Sequence, residues 1–172
     1  MEKYTPLVAP NFEPEDVVES EVVQHRLATN ERSIARRIAL QVLYEVDIAN
    51  HPFGDVLNSQ LMYSTLNPKT TEYLGQLVNG VIENKDILDN TIQEYAPEWP
   101  LDQVAAIDRN ILRLSVNEIV LIGNISEKIV IDEAVELGKS FGAEGTPLFV
   151  NGVLGAMVSE FDKVKEMLNK RD

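Results

Sequence analysis

Glu31-Arg-Ser-Ile-Ala-Arg-Arg-Ile-Ala-Leu-Gln-Val-Leu-Tyr-Glu-Val-Asp-Ile-Ala49 reads as one amphipathic helix. At about 100° per residue, Ile34, Ala35, Ile38, Ala39, Val42 and Val46 share an arc of about 140°. Arg32, Arg36, Arg37, Tyr44 and Asp47 lie on an opposing arc of similar width. The spacing predicts an apolar inner face and a basic outer face that also carries an aromatic ring. Thr29 and Asn30 are N-cap residue types, so the helix is expected to begin there.

The rest of the chain repeats the helical period. His51-Pro52-Phe53-Gly54 is a break, followed by a helix over about 55–65. Asn67-Pro68 opens a third helix that buries Leu74, Leu77, Val78, Val81 and Ile82. A fourth uses Ile87, Leu88, Ile92 and Tyr95, and Pro97 and Pro100 end it around Trp99. A fifth is predicted over about 101–122, closed by Gly123, a sixth over 128–141, and a seventh over 147–168. No alternating strand pattern competes. The expected fold is all-α, with about seven helices.

Residues 1–28 read as an acidic, partly mobile extension, interrupted by Pro6, Pro10 and Pro14, with a short helix over about 15–27. The helical domain is expected over 29–170, divided into subdomains 29–96 and 97–170. The start of the chain does not read as a signal peptide, and no window approaches the roughly 18 apolar residues of a membrane span. With no cysteine, thiolate metal sites and disulfides are excluded, and a reducing cytoplasm is the expected location.

The net charge is −13, which repels phosphate at long range. Its distribution is uneven. Between Arg26 and Arg37 stand four arginines and one acid, so any nucleic-acid surface must centre there. Arginine can grip phosphate with two donors and stack on a base, and Tyr44 could support stacking or a protein contact. The competing reading is an ordinary exposed helix face whose arginines pair with nearby acids.

Catalytic equipment is sparse. Gly138-Lys139-Ser140 resembles the tail of a phosphate-binding loop, but position 133 is glutamate where that loop needs glycine. Asp132 and Glu136 could share a face and hold a cation, yet a solvated helix face explains them better. His25 and His51 support neither a triad nor a metal cage. No enzyme activity, cofactor or metal is expected. The segment from Phe141 to Phe149 ends one helix and starts another. Free amides there could bind an anion, and Phe149 is either core or a base-stacking platform.

Three stretches together resemble the NusB transcription antitermination family. They are Ala35-Arg-Arg-Ile-Ala-Leu-Gln-Val-Leu-Tyr44, then Trp99-Pro-Leu-Asp-Gln-Val with Ile107-Asp-Arg-Asn-Ile-Leu-Arg-Leu114, and Ile131-Asp-Glu-Ala-Val-Glu-Leu-Gly-Lys-Ser-Phe-Gly142 continuing to Phe149-Val-Asn-Gly-Val-Leu154. The resemblance implies two packed helical bundles and a non-enzymatic RNA-binding factor. It implies pairing with NusE, a small-subunit ribosomal protein, on boxA RNA within an RNA polymerase antitermination complex that reads through terminators, notably on ribosomal RNA operons. By position, Arg32, Arg36, Arg37, Gly145, Thr146 and Phe149 would bind RNA, and Tyr44, Asp108 and Arg109 would meet NusE. An internal salt bridge of Asp108 with Arg109 or Arg113 is the alternative for the polar pair.

The chain departs from the family pattern in places. Ile34 interrupts the arginine cluster, Leu148 stands where some members are basic, and Gly145 replaces an acid. Weaker or more salt-sensitive RNA binding, or greater dependence on NusE, is expected, and the acidic extension could fold over the basic face and compete with RNA. Asn151 and Gly152 read as structural, the glycine allowing close helix packing. Two other functions compete: a self-associating or protein-binding helical module, including a homodimer through the RNA surface, and an RNA-binding fragment related to the N-terminal domain of rRNA cytosine methyltransferases.

Overall fold

The computed structural model describes the backbone of residues 14–170 and the side-chain surroundings of residues 31–170. Every regular element among them is helical. The first, α1 (Pro14–Ala49), is 36 residues long and passes through Thr29 and Asn30 without a break. The expected cap is therefore unused. Neither residue costs more than about 0.7 kcal/mol inside a helix, and no glycine or proline lies between Pro14 and Ala49. Residues 14–30 thus prolong the helix by about 25 Å at about 1.5 Å per residue. A single helix cannot double back on itself, so this part of the extension does not cover the arginines of the same helix. Residues 1–13 of the extension lie outside the described residues.

The α1 helix ends at Asn50, whose φ is 56°. Next come α2 (Phe53–Met62) and α3 (Pro68–Glu83). The start of α3 follows from its sequence: Pro68 occupies the first turn, and Asn67 Oδ1 accepts from Thr70 N at 2.8 Å. After α4 (Lys85–Tyr95), the Gln93 side chain ties the next loop. It donates to the carbonyls of Ala96 (2.9 Å) and Trp99 (3.1 Å) and accepts from Leu101 N (2.8 Å). That tie holds residues 101–104 in turns, so α5 (Ala106–Val116) begins later than expected. It runs on into a π-helical turn, Asn117–Ile122, which Gly123 stops at a left-handed φ of 66°.

The chain continues as α6 (Glu127–Phe141), α7 (Thr146–Ser159) and α8 (Phe161–Asn169). The single last helix expected from sequence is two. Glu160, at φ −117° and ψ 37°, breaks it. The break lets α8 turn back onto α4, where Val164 and Leu168 are buried. Eight α-helices result among the described residues.

Helix α1 packs on α2, α3 and α5, α6 on α7 and α5, and α8 on α4. The buried apolar side chains form one connected cluster, with Leu40, Leu43, Leu74, Leu77, Leu88, Ile92, Ile111, Leu114, Leu154 and Leu168 almost wholly enclosed. Each such side chain contributes about 1.5–3 kcal/mol on leaving water. On α1 the enclosed positions are Ala35, Arg36, Ala39, Leu40, Val42 and Leu43, while Ile34 is 41% exposed. At about 100° per residue, this face is turned roughly a quarter turn from the one the periodicity picked out.

Candidate nucleic-acid interface

The quarter turn has a chemical cause. Arg36, expected on the outer basic face, is 2% exposed. Its Nε and Nη2 donate to both carboxylate oxygens of Glu118, at 2.9 and 2.7 Å, and its Nη1 lies 3.3 Å from Glu133. The Tyr73 hydroxyl also donates to Glu118. A bidentate Arg–carboxylate pair tolerates burial because each charge satisfies the other. Burial alone would lower the guanidinium pKa; the Glu118 hydrogen bond and charge outweigh it and raise it. Arg36 is therefore a structural tie between α1 and the π-helical turn, and the expectation that it contacts RNA is corrected. Glu118 was overlooked in the sequence. The signal was there: a lone acid in the apolar run 111–122 needs a buried partner.

Arg32 and Arg37 do not share a face either. The Arg32 guanidinium lies over the Tyr73 ring of α3, 5.1 Å from its centroid. That of Arg37 lies over the Phe141 ring at the end of α6, at 5.6 Å, and Nη2 donates to Ser140 Oγ at 3.1 Å. Each stacking orients a charge without neutralising it. Of the two, Arg37 is the exposed one.

Arg37 stands against the last turn of α6, next to the corner that joins α6 to α7. Gly142 shapes that corner: a Cβ there would come within 2.5 Å of the Thr146 side chain. Thr146 is buried. Its hydroxyl accepts from Ala143 N (3.0 Å) and donates to Asp108 Oδ1 (2.8 Å). Thr146 braces the corner from inside, and it does not present a contact on the surface. Its amide bonds to the Ala143 carbonyl, and Pro147 has no N–H, so the start of α7 is a poorer anion site than expected. Gly145 is exposed and open, Leu148 is 80% exposed, and Phe149 is partly buried against the core.

The residues expected to meet a protein partner are also largely engaged within the chain. Arg109 Nε donates to Asp47 Oδ2 at 2.7 Å, and Nη1 reaches the carbonyls of Val104 and Asp102. Arg113 bridges Asp89 and Asp47. The alternative pairing of Asp108 with Arg109 or Arg113 is not formed; Asp108 meets Thr146 and Arg109 meets Asp47. Burial would raise the Asp47 pKa, but hydrogen bonds from Arg109 and Asn110 and the charge of Arg113 lower it. Tyr44 stays open at 40% exposure, and Ile48, one turn on, is 57% exposed and extends its face. Sequence reasoning had not singled out Ile48.

Among the described residues, no group of three or more metal-ligand side chains assembles, and no helix is long and apolar enough to cross a membrane. Asp132 is exposed, and Glu136 pairs with Lys139. Gly138 is buried inside α6, where Pro147 of α7 crosses closely. Gly152 and Asn151 are exposed, and a Cβ on Gly152 would meet nothing, so that glycine is not needed for packing.

The class defined by this geometry is a small all-helical protein, acidic overall, whose stacked arginines sit on either side of its first helix. Comparison with known proteins narrows it. A family model described as the NusB family matches residues 33–159, and the chain belongs to that family. A Dehalococcoides mccartyi (strain CBDB1) protein named transcription antitermination protein NusB is 43% identical over 129 residues, covering 75% of this chain and 90% of that protein. A Chloroflexus aggregans protein of the same name is 40% identical over 139 residues, covering 79% and 91%. Among solved structures, T. maritima NusB superposes with a TM-score of 0.68 at 28% identity, covering 78% of this chain and 90% of that one. A crystal structure of antitermination factors NusB and NusE in complex with dsRNA matches with a TM-score of 0.70 at 27% identity, covering 76% and 98%.

Proposed function

We propose that this protein is a transcription antitermination factor that binds boxA-type RNA together with the ribosomal protein NusE, as part of an RNA polymerase antitermination complex. It performs no reaction of its own and works in the cytoplasm. The observation that carries the reading is the corner where exposed Arg37 is stacked on Phe141 beside the open Gly145. A cation held over a ring and next to an unobstructed backbone offers phosphate pairing and close strand approach together. Phe149 supplements this surface, Thr146 acts by holding it in shape, and Arg32 adds a cation on the other side of α1. Tyr44 with Ile48 supplies the apolar part of the partner face; Asp108 and Arg109 act there mainly by fixing α5 against α7 and α1. The same reading keeps the subdomain boundary between residues 96 and 97, at the proline-flanked Trp99 loop.

Titration of labelled boxA-like and scrambled RNA, with and without NusE, tests the proposal. Arg37→Glu should weaken boxA binding about tenfold or more and reduce the salt slope by about 0.7–0.9 for each phosphate it no longer neutralises. Equal affinity of Arg37→Glu and wild type would remove the corner from the RNA surface.

One observation favours a second reading. Leu148 is 80% exposed on the first turn of α7. An apolar side chain at that site suits a second protein surface, including a second copy of this chain. Sizing with and without RNA separates the two: a dimer that RNA does not dissociate supports self-association elsewhere, and one that RNA dissociates places both on the same surface.

A further inference from the structure

The outer face of α3 carries Glu72, Gln76, Asn79 and Glu83, which fall within an arc of about 60° around the helix. All four are exposed, and neither carboxylate forms an ion pair among the described residues. They border a groove of about 430 Å³ between α3 and the π-helical turn, completed by Gly75, Gly80 and Asn84 and, across from them, by Asn117, Leu121 and Ile122. No cationic side chain lines it. An acidic helix face is ordinarily just solvated, but Asn117 sets this one apart. Its side chain is wholly buried; Nδ2 donates to the Leu77 carbonyl at 3.3 Å, whereas Oδ1 has no hydrogen-bond partner. Gly80 admits it: a Cβ there would lie 2.3 Å from Oδ1, so the acceptor occupies the place of a side chain on the groove side of α3. Buried acceptors are nearly always matched by a donor, and an unmatched one is costly. The floor of the groove thus holds an unused acceptor between two unpaired acids.

We propose that this groove docks an extended basic segment of a partner protein, with an arginine or lysine toward each end and the main chain across the middle. The inference does not rest on the RNA-binding reading, and the groove shares no residue with the Arg37 corner or the Tyr44–Ile48 face. The chemistry selects the class of ligand. Glu72 and Glu83 stand about 16 Å apart along α3, too far to hold one metal ion between them. About five extended residues span that distance. Between the acids, the carboxamides of Gln76 and Asn79 both donate and accept, which matches the N–H and C=O groups of a peptide; a polyamine brings donors alone. A main-chain or guanidinium N–H supplies the donor that Asn117 lacks. Asn84 is fixed at the end of the groove, where its Nδ2 donates to the Gly80 carbonyl at 2.8 Å. Leu121 and Ile122, half-buried, cover the aliphatic stem of an arginine or lysine. Gly75, where a Cβ would meet nothing, keeps the wall low enough for close approach of the main chain. The net charge of −13 steers a basic segment inward and an acidic one away.

The test titrates the full chain, labelled for nuclear magnetic resonance, with the peptide Arg-Gly-Ser-Gly-Arg and with the same peptide carrying glutamine in place of both arginines. The arginine peptide should shift the backbone signals of Gly75, Asn79 and Gly80 and the side-chain amide of Asn117, and the glutamine peptide should not. Glu72→Gln combined with Glu83→Gln should weaken binding of the arginine peptide about fivefold or more at low salt, and by less at high salt. Both positions are exposed, and glutamine forms helix about as well as glutamate, so the double variant should keep the wild-type circular dichroism. Gly75→Leu, which raises the open wall and leaves every charge in place, should also block the peptide. The proposal is overturned if the arginine peptide leaves Gly80 and Asn117 unshifted up to millimolar concentration. Equal binding by the double variant also overturns it, as does the same pattern of shifts, at equal affinity, from spermidine or magnesium.

Discussion

Replacing Glu118 by glutamine removes a charge from the most enclosed ion pair among the described residues while keeping its shape. The Arg36 and Glu118 side chains are 3% and 1% exposed, and two hydrogen bonds of 2.9 and 2.7 Å join them. In Glu118→Gln the guanidinium stays buried with Glu133 as its one remaining carboxylate, at 3.3 Å and from a partly exposed side chain. Removing one partner of a buried pair costs about 3–5 kcal/mol, because the survivor's desolvation is no longer offset. For a chain of this size, Tm falls by about 2–4 °C per kcal/mol, so the variant should melt about 6–20 °C lower. Urea titration followed by circular dichroism gives the free energy directly, and Arg36→Met with Glu118→Leu closes the comparison. That double variant should recover most of the stability, since an apolar replacement of a whole buried pair is often neutral. A Glu118→Gln protein within about 0.5 kcal/mol of wild type would refute the argument that a desolvated charge pair, and not periodicity alone, sets the rotation of α1. The same reasoning makes Arg36→Glu unsuitable as a probe of RNA binding, because it would unfold the site it is meant to test.

Gly142→Ala should cost about 1–3 kcal/mol in denaturant titration and also weaken RNA binding, since its Cβ would press on Thr146 at 2.5 Å and move the corner. Gly80→Ala should cost a similar amount without touching RNA affinity, because its Cβ would meet the buried Asn117 side chain at 2.3 Å. The lowered Asp47 pKa adds stability that is complete above the carboxylate's ordinary range and is lost as pH falls through the folded-state value. Acid unfolding between pH 6 and 2, followed by circular dichroism, should therefore be less steep in Asp47→Asn, about in proportion to one proton (~1.4 kcal/mol per pH unit); an unchanged slope would show that the Arg109–Asp47–Arg113 cluster does not stabilise the fold.

The reach of each kind of information is visible in particular residues. The helices, the Asn67–Pro68 start of α3, the Gly123 stop and the all-α class were legible in the sequence because they depend on neighbours within a turn or two, through backbone hydrogen bonding, caps and apolar spacing. The arginines were legible as a cluster, but not in the partners they take. Arg36 is buried and Arg37 exposed, with Arg32 between, because their partners come from distant elements: Tyr73 of α3 under both Arg32 and Arg36, Glu118 of the π-helical turn against Arg36, and Phe141 with Ser140 of α6 against Arg37. Arg36 and Glu118 are 82 residues apart. A local pattern scores a guanidinium as polar and places it outside, since it cannot weigh a counter-charge delivered by a distant segment. Only the packed tertiary structure brings that charge within 3 Å, and doing so decided which way the first helix faces and which arginines remain for a ligand.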